Sequence, residues 1–89
     1  MEKHLEARCR KIAKARGHLF WKLVVPGYPG VPDRLMLSTE GRAVFIEFKA
    51  PGKKPTPLPL QTAWHSRLRG LGFEVHVINT VSDFERICP

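Results

Sequence analysis

Asp33, Glu47 and Lys49 are the residues of this sequence whose types and spacing could do chemistry. Asp33 closes the segment Gly30-Val31-Pro32-Asp33, and Glu47 and Lys49 stand two apart in the apolar run Val44-Phe45-Ile46-Glu47-Phe48-Lys49. In an extended chain successive side chains leave opposite faces. Phe45, Glu47 and Lys49 therefore share one face, and Val44, Ile46 and Phe48 the other. Two charges at successive positions of so apolar a strand are hard to explain by packing. Hydrolysis of a phosphodiester needs a nucleophilic water and compensation of phosphate charge, and a divalent cation supplies both. Mg²⁺ takes hard oxygen ligands and keeps several waters, so one or two converging carboxylates suffice. A lysine beside them can polarise water or steady phosphate, and the carbonyl of Phe48 is a further candidate ligand. The competing structural reading is a buried Glu47–Lys49 ion pair, or two charges on a solvated edge strand. Glu-x-Lys and Pro-Asp are each common by chance. The weight comes from their combination across a hairpin's length of chain, with a Gly/Pro loop before and an apolar strand around them.

Those residues need elements to position them. Residues 3–16 read as a helix, with Leu5, Cys9, Ile12 and Ala13 at helical spacing, bases on the other side and Gly17 as its stop. The acids Glu2 and Glu6 are four apart and share one side of it. His18 to Val25 reads as a strand. Pro26-Gly27-Tyr28-Pro29-Gly30-Val31-Pro32 excludes regular structure and forms a shaped loop that delivers the chain to Asp33. Arg34 to Ser38 and Arg42 to Lys49 are the next strands, joined by a turn at Glu40-Gly41. Ala50 to Pro59 is a Pro/Gly/Lys loop. Thr56-Pro57 suits a cap and first turn, and the helix that follows carries Leu60, Ala63, Trp64, Leu68 and Leu71 on one face, ending near Gly70 to Gly72. Phe73 to Ile78 is a strand, and Ser82-Asp83-Phe84-Glu85 has the form of a capping box opening a short last helix. The order is αβββαβ with a short C-terminal helix, an α/β fold. The hairpin makes an antiparallel pair and the helical crossover a parallel one, so the sheet is mixed.

The chain has 89 residues, enough for one domain, residues 1–89, with a small core that a second copy would help to complete. Hydrophobic residues make up 43% of it, which predicts folding rather than disorder. Its longest apolar runs are too short to span a bilayer, and the N-terminus lacks a signal-peptide pattern, so a cytoplasmic protein is expected. Fifteen Lys and Arg against eight Asp and Glu give a formal charge of +7, which suggests a polyanionic partner. Arg34, Lys53, Lys54, Arg10 and Lys14 are candidate phosphate contacts, of the kind that position DNA without reading its sequence. Two cysteines at opposite ends and four scattered histidines show no zinc-ligand spacing. Each histidine reads as a surface or packing residue. Trp21 and Trp64 read as core, and Tyr28 as an exposed wedge or stacking residue.

Gly30-Val31-Pro32-Asp33-Arg34, Val44-Phe45-Ile46-Glu47-Phe48-Lys49-Ala50-Pro51-Gly52, Leu60-Gln61 and Leu68-Arg69-Gly70-Leu71-Gly72-Phe73-Glu74-Val75 together resemble the VRR-NUC family of PD-(D/E)xK nucleases, and the resemblance covers nearly the whole chain. It is similar to the stand-alone phage and bacterial members. The resemblance implies a restriction-endonuclease-like core and Mg²⁺ dependence, with Mn²⁺ able to substitute. It also implies action on structured DNA, four-way (Holliday) junctions included, by a homodimer. By position, Asp33 and Glu47 would bind metal, Lys49 would be the catalytic lysine, Gln61 the helix glutamine beside the site, and an acid on the first helix would complete the set. Glu6 lies deeper in that helix and is favoured over Glu2, which stands nearer the fraying terminus. A phage-encoded member would work in the bacterial host's cytoplasm. Two alternatives stay open. One is a flap or fork nuclease, or a nicking accessory factor in phage DNA metabolism. The other is a non-catalytic basic DNA- or RNA-binding module.

Overall fold

In the computed structural model, residues 3–52 and 56–89 are described. Helix α1, Lys3–Ala15, buries Leu5, Cys9 and Ala13 and turns Arg8, Arg10, Lys11 and Lys14 to solvent. Its end is a Schellman turn. The Gly17 N–H donates to the Lys14 carbonyl and the His18 N–H to the Ala13 carbonyl, each at 3.0 Å. Gly17 holds the required φ of 83°.

Four strands follow in the spatial order β1-β2-β3-β4: Leu19–Lys22, Arg34–Leu37, Ala43–Phe48 and Glu74–Ile78. β1 and β3 both pair antiparallel with β2, and β3 pairs parallel with β4. β1 is shorter than the expected 18–25. Past the bond from the Leu23 N–H to the Asp33 carbonyl, 2.9 Å, β2 has no residues left to pair and the chain leaves the sheet. At the other end of the hairpin, Gly41 makes the turn with φ of 73°.

Helix α2, Pro59–Gly70, starts later than Thr56-Pro57 suggested. A proline forces the residue before it out of the helical region, and Leu58 is accordingly extended at φ −66°, ψ 158°. No helix can begin before Pro59. Leu58 has no side-chain oxygen, so the Gln61 Oε1 caps the turn by accepting its N–H at 2.9 Å. Helix α3, Val81–Ile87, is capped by Thr80, whose Oγ1 accepts the Asp83 N–H at 3.0 Å. The box expected at Ser82 is thus displaced by two residues.

The main core lies between the sheet and the pair α1 and α3, where Cys9, Ala13, Met36, Val44, Ile46 and Phe84 are wholly buried. α2 covers the opposite face, which carries Phe45, Glu47, Val75 and Val77 in register. Here the structure corrects the expected buried stripe. Leu60, Ala63 and Leu71 are exposed, Trp64 and Leu68 are half-buried, and His65 is the buried residue of the helix. Trp21 is not core either; it is 52% exposed.

Candidate active site

Asp33 immediately precedes β2 and Glu47 lies near the end of β3. Because the two strands run antiparallel with Arg34 opposite Ile46, both acids fall at one end of the sheet. Asp33 Oδ2 accepts the Phe48 N–H at 3.0 Å, which pins the carboxylate across the strand ends. Glu47 is only 2% exposed and lies against Asp33. Burial pushes its carboxyl up to about 8, the hydrogen bond and charge of Asp33 add to the rise, and the Lys49 ammonium opposes it.

Gln61 ties the group together from α2. Its Oε1 accepts from Lys49 Nζ at 2.7 Å as well as from the Leu58 N–H. With its oxygen so committed, its Nε2 faces Glu47 and donates to Oε2 at 3.2 Å. The other oxygen, Glu47 Oε1, is buried with no hydrogen-bond partner. A buried oxygen without a donor beside a second carboxyl is a site that a cation would satisfy. The donor set, two carboxylates with a backbone carbonyl near, is hard oxygen and fits Mg²⁺ or Mn²⁺ rather than a soft metal.

Other expected residues fall elsewhere. Glu6, buried on α1, is ion-paired with the Nε of Arg34, and with Ala7, Arg10 and Arg34 it lines a hollow. Among the described residues no group of three or more acids, histidines or cysteines is arranged to hold a metal ion, and the Glu6 carboxylate is engaged by Arg34, the neighbour of Asp33. Arg34 is not a free surface base: it is half-buried, held by Glu6, with its guanidinium 5.7 Å from the Phe20 ring centre. Arg10 and Lys14 are exposed on one side of α1 with Lys11. Glu2, Lys53 and Lys54 lie outside the described residues.

One residue escaped the sequence reading. His65, 1% exposed, points Nε2 at Glu47 Oε1 across 3.9 Å. Burial, then the charges of Arg69 and Lys49, lower its pKa and keep the ring neutral. Its signal was present in the sequence: His65 follows Gln61 by four residues, one helical turn on the same face.

No family model matches the chain. It is 45% identical over 89 residues, all of this chain and 88% of the relative, to "Putative nuclease p44" of Acyrthosiphon pisum secondary endosymbiont phage 1. A solved structure described as "VRR_NUC domain" matches with a TM-score of 0.89 and 28% identity, over 97% of this chain and 91% of that one. The fold and these relatives together define a nuclease with a restriction-endonuclease-like core. The chain belongs to the VRR-NUC family.

Proposed function

We propose that this nuclease is a divalent-metal-dependent endodeoxyribonuclease that works as a homodimer on branched DNA, four-way junctions foremost. The observation that carries the chemistry is the Asp33–Glu47 pair, with Glu47 buried and its Oε1 unpartnered, braced by Gln61 and flanked by Lys49. Asp33, Glu47 and the Phe48 carbonyl would hold Mg²⁺, or Mn²⁺ in its place; when bound, the ion activates water and offsets phosphate charge. Lys49, oriented by Gln61, would offer its ammonium to the attacking water or to a phosphate oxygen. Glu6 orders Arg34, the neighbour of Asp33; a direct role for Glu6 in holding metal needs that pair to open. The exposed bases Arg10 and Lys14 would contact phosphates, and Lys53 and Lys54 follow the site strand in sequence.

Dimerisation is favoured by the exposed apolar surface on the α2 side. Leu19 and Trp21 of β1, Val24, Val25 and Tyr28 of the loop are exposed. The exposed face of α1 is charged, which favours β1 and the Tyr28 loop over the first helix as the interface. A two-fold pair would set two metal sites in fixed relation, matching the approximate symmetry of a four-way junction. The test is cleavage of labelled four-way, flap and linear DNA with Mg²⁺, Mn²⁺ or EDTA. Paired incisions near the branch, abolished by EDTA, are expected. Equal cutting of all substrates would leave a nuclease and remove the junction reading. Preferred cutting of flaps would favour a fork or flap role, and binding without cleavage under every condition would leave only a DNA-binding module.

A further inference from the structure

We propose that His65 is a positioning residue for Glu47, its Nε2–H holding Oε1 as the Gln61 amide holds Oε2, so that the carboxylate is clamped from α2 on both oxygens. The inference rests on the metal-binding reading of the site given above. Two observations carry it. Glu47 Oε1 and His65 Nε2 are both buried without a hydrogen-bond partner, and they face each other. Their separation of 3.9 Å is about 1 Å beyond a hydrogen bond, a gap that a small side-chain movement closes.

A purely structural role does not account for this placement. α2 already packs through Trp64 and Leu68, and a leucine at position 65 would fill space without burying an unpaired imidazole nitrogen. A neutral imidazole has one N–H to give, and Glu47 is the group in front of Nε2. Gln61 and His65 lie one turn apart, so a rigid helix presents two donors to the two oxygens of one carboxylate. Groups that orient a metal-binding side chain in this way tune its affinity for the ion.

The experiment measures Mn²⁺ binding by calorimetry on the full chain without DNA, together with thermal unfolding of the metal-free protein. His65→Leu removes the donor and keeps an apolar filling; His65→Gln restores an N–H at similar reach. His65→Leu is expected to bind Mn²⁺ about 10–100-fold more weakly, and His65→Gln to return within about threefold of the parent. Metal-free His65→Leu is expected to melt no earlier than the parent. Parental Mn²⁺ affinity in His65→Leu would overturn the inference. So would equal weakening in both variants with lowered melting temperatures, which marks a packing residue. If the parent chain itself binds no Mn²⁺, the metal reading of the site fails first and this inference with it; that result is distinct because it appears without any substitution.

Discussion

Glu47 lies under opposed demands. Its surroundings favour the neutral acid, since burial and Asp33 raise it from an ordinary 4.5 to about 8, whereas a cation requires the carboxylate. A carboxyl raised on folding contributes stability that is fully present below its unfolded value and is lost as pH rises through the folded one. In EDTA the melting temperature should therefore fall between about pH 4.5 and about pH 8, with Glu47→Gln flattening the decline and added Mg²⁺ or Mn²⁺ opposing it at the alkaline end. A wild-type melting temperature indifferent to pH over that window would contradict the placement of Glu47. Asp33→Asn and Glu47→Gln should each leave DNA binding intact or tighter. Turnover should drop roughly 10²–10³-fold, because the metal's contribution of several kcal/mol converts at about 1.4 kcal/mol per decade. Full cleavage by either purified variant would remove these residues from the site. An ammonium is not a ligand, so Lys49→Ala should depress turnover while calorimetric Mn²⁺ affinity stays near parental.

At the scale of elements, the site depends on α2 meeting the loop before β2. Gly30 is where they touch: its φ is 91°, and a Cβ there would lie 2.7 Å from Cγ of Leu60 on α2. Both the left-handed backbone and the missing side chain are needed at this position. The Trp64 Nε1–H donates to the Pro29 carbonyl at 3.1 Å, a second tie between the same two segments. Gly30→Ala should destabilise the fold by more than about 1 kcal/mol, the strain exceeding the usual entropic gain of such a change. Activity should fall beyond what unfolding explains, since Gln61 sits next to Leu60. Chemical denaturation and single-turnover cleavage test the two parts; a stable, fully active variant would show that the loop and helix are not coupled.

For the whole molecule the charge of +7 sets the manner of approach to DNA. If about six phosphates are contacted, the slope of log affinity against log salt should be about −5; a flat dependence would mean that the basic surface does not face DNA. Assembly rests on the other kind of surface. Trp21 stands opposite Leu35 on the sheet face that α2 leaves open and is half exposed. A charge placed there would have to be buried unpaired in an interface. Trp21→Glu should thus shift the protein from dimer to monomer in sedimentation, with junction cutting reduced more than metal binding. A parent chain that sediments as a monomer would instead detach the exposed apolar surface from self-association.

The alternation over residues 43–48, the helical spacing of Leu5, Cys9 and Ala13, the glycine stop at Gly17 and the conjunction of Asp33, Glu47 and Lys49 were legible in the sequence, because each is a local periodicity or turn that backbone geometry imposes on its own residues. The order of elements and the mixed sheet followed from them. Tertiary structure decided what depends on the surface each element meets. α2 has an apolar side in Leu60 and Ala63, yet it turns Gln61 and His65 to the sheet, because buried Glu47 and half-buried Lys49 wait there as polar groups that need donors and acceptors. Arg34 reads as a surface base until Glu6, distant in sequence, is brought against it. Trp21 reads as core until its face of β1 proves to lie on the side that α1 does not cover, where it is left 52% exposed. In each case composition identifies a side chain's needs, and only the packed neighbour determines how they are met.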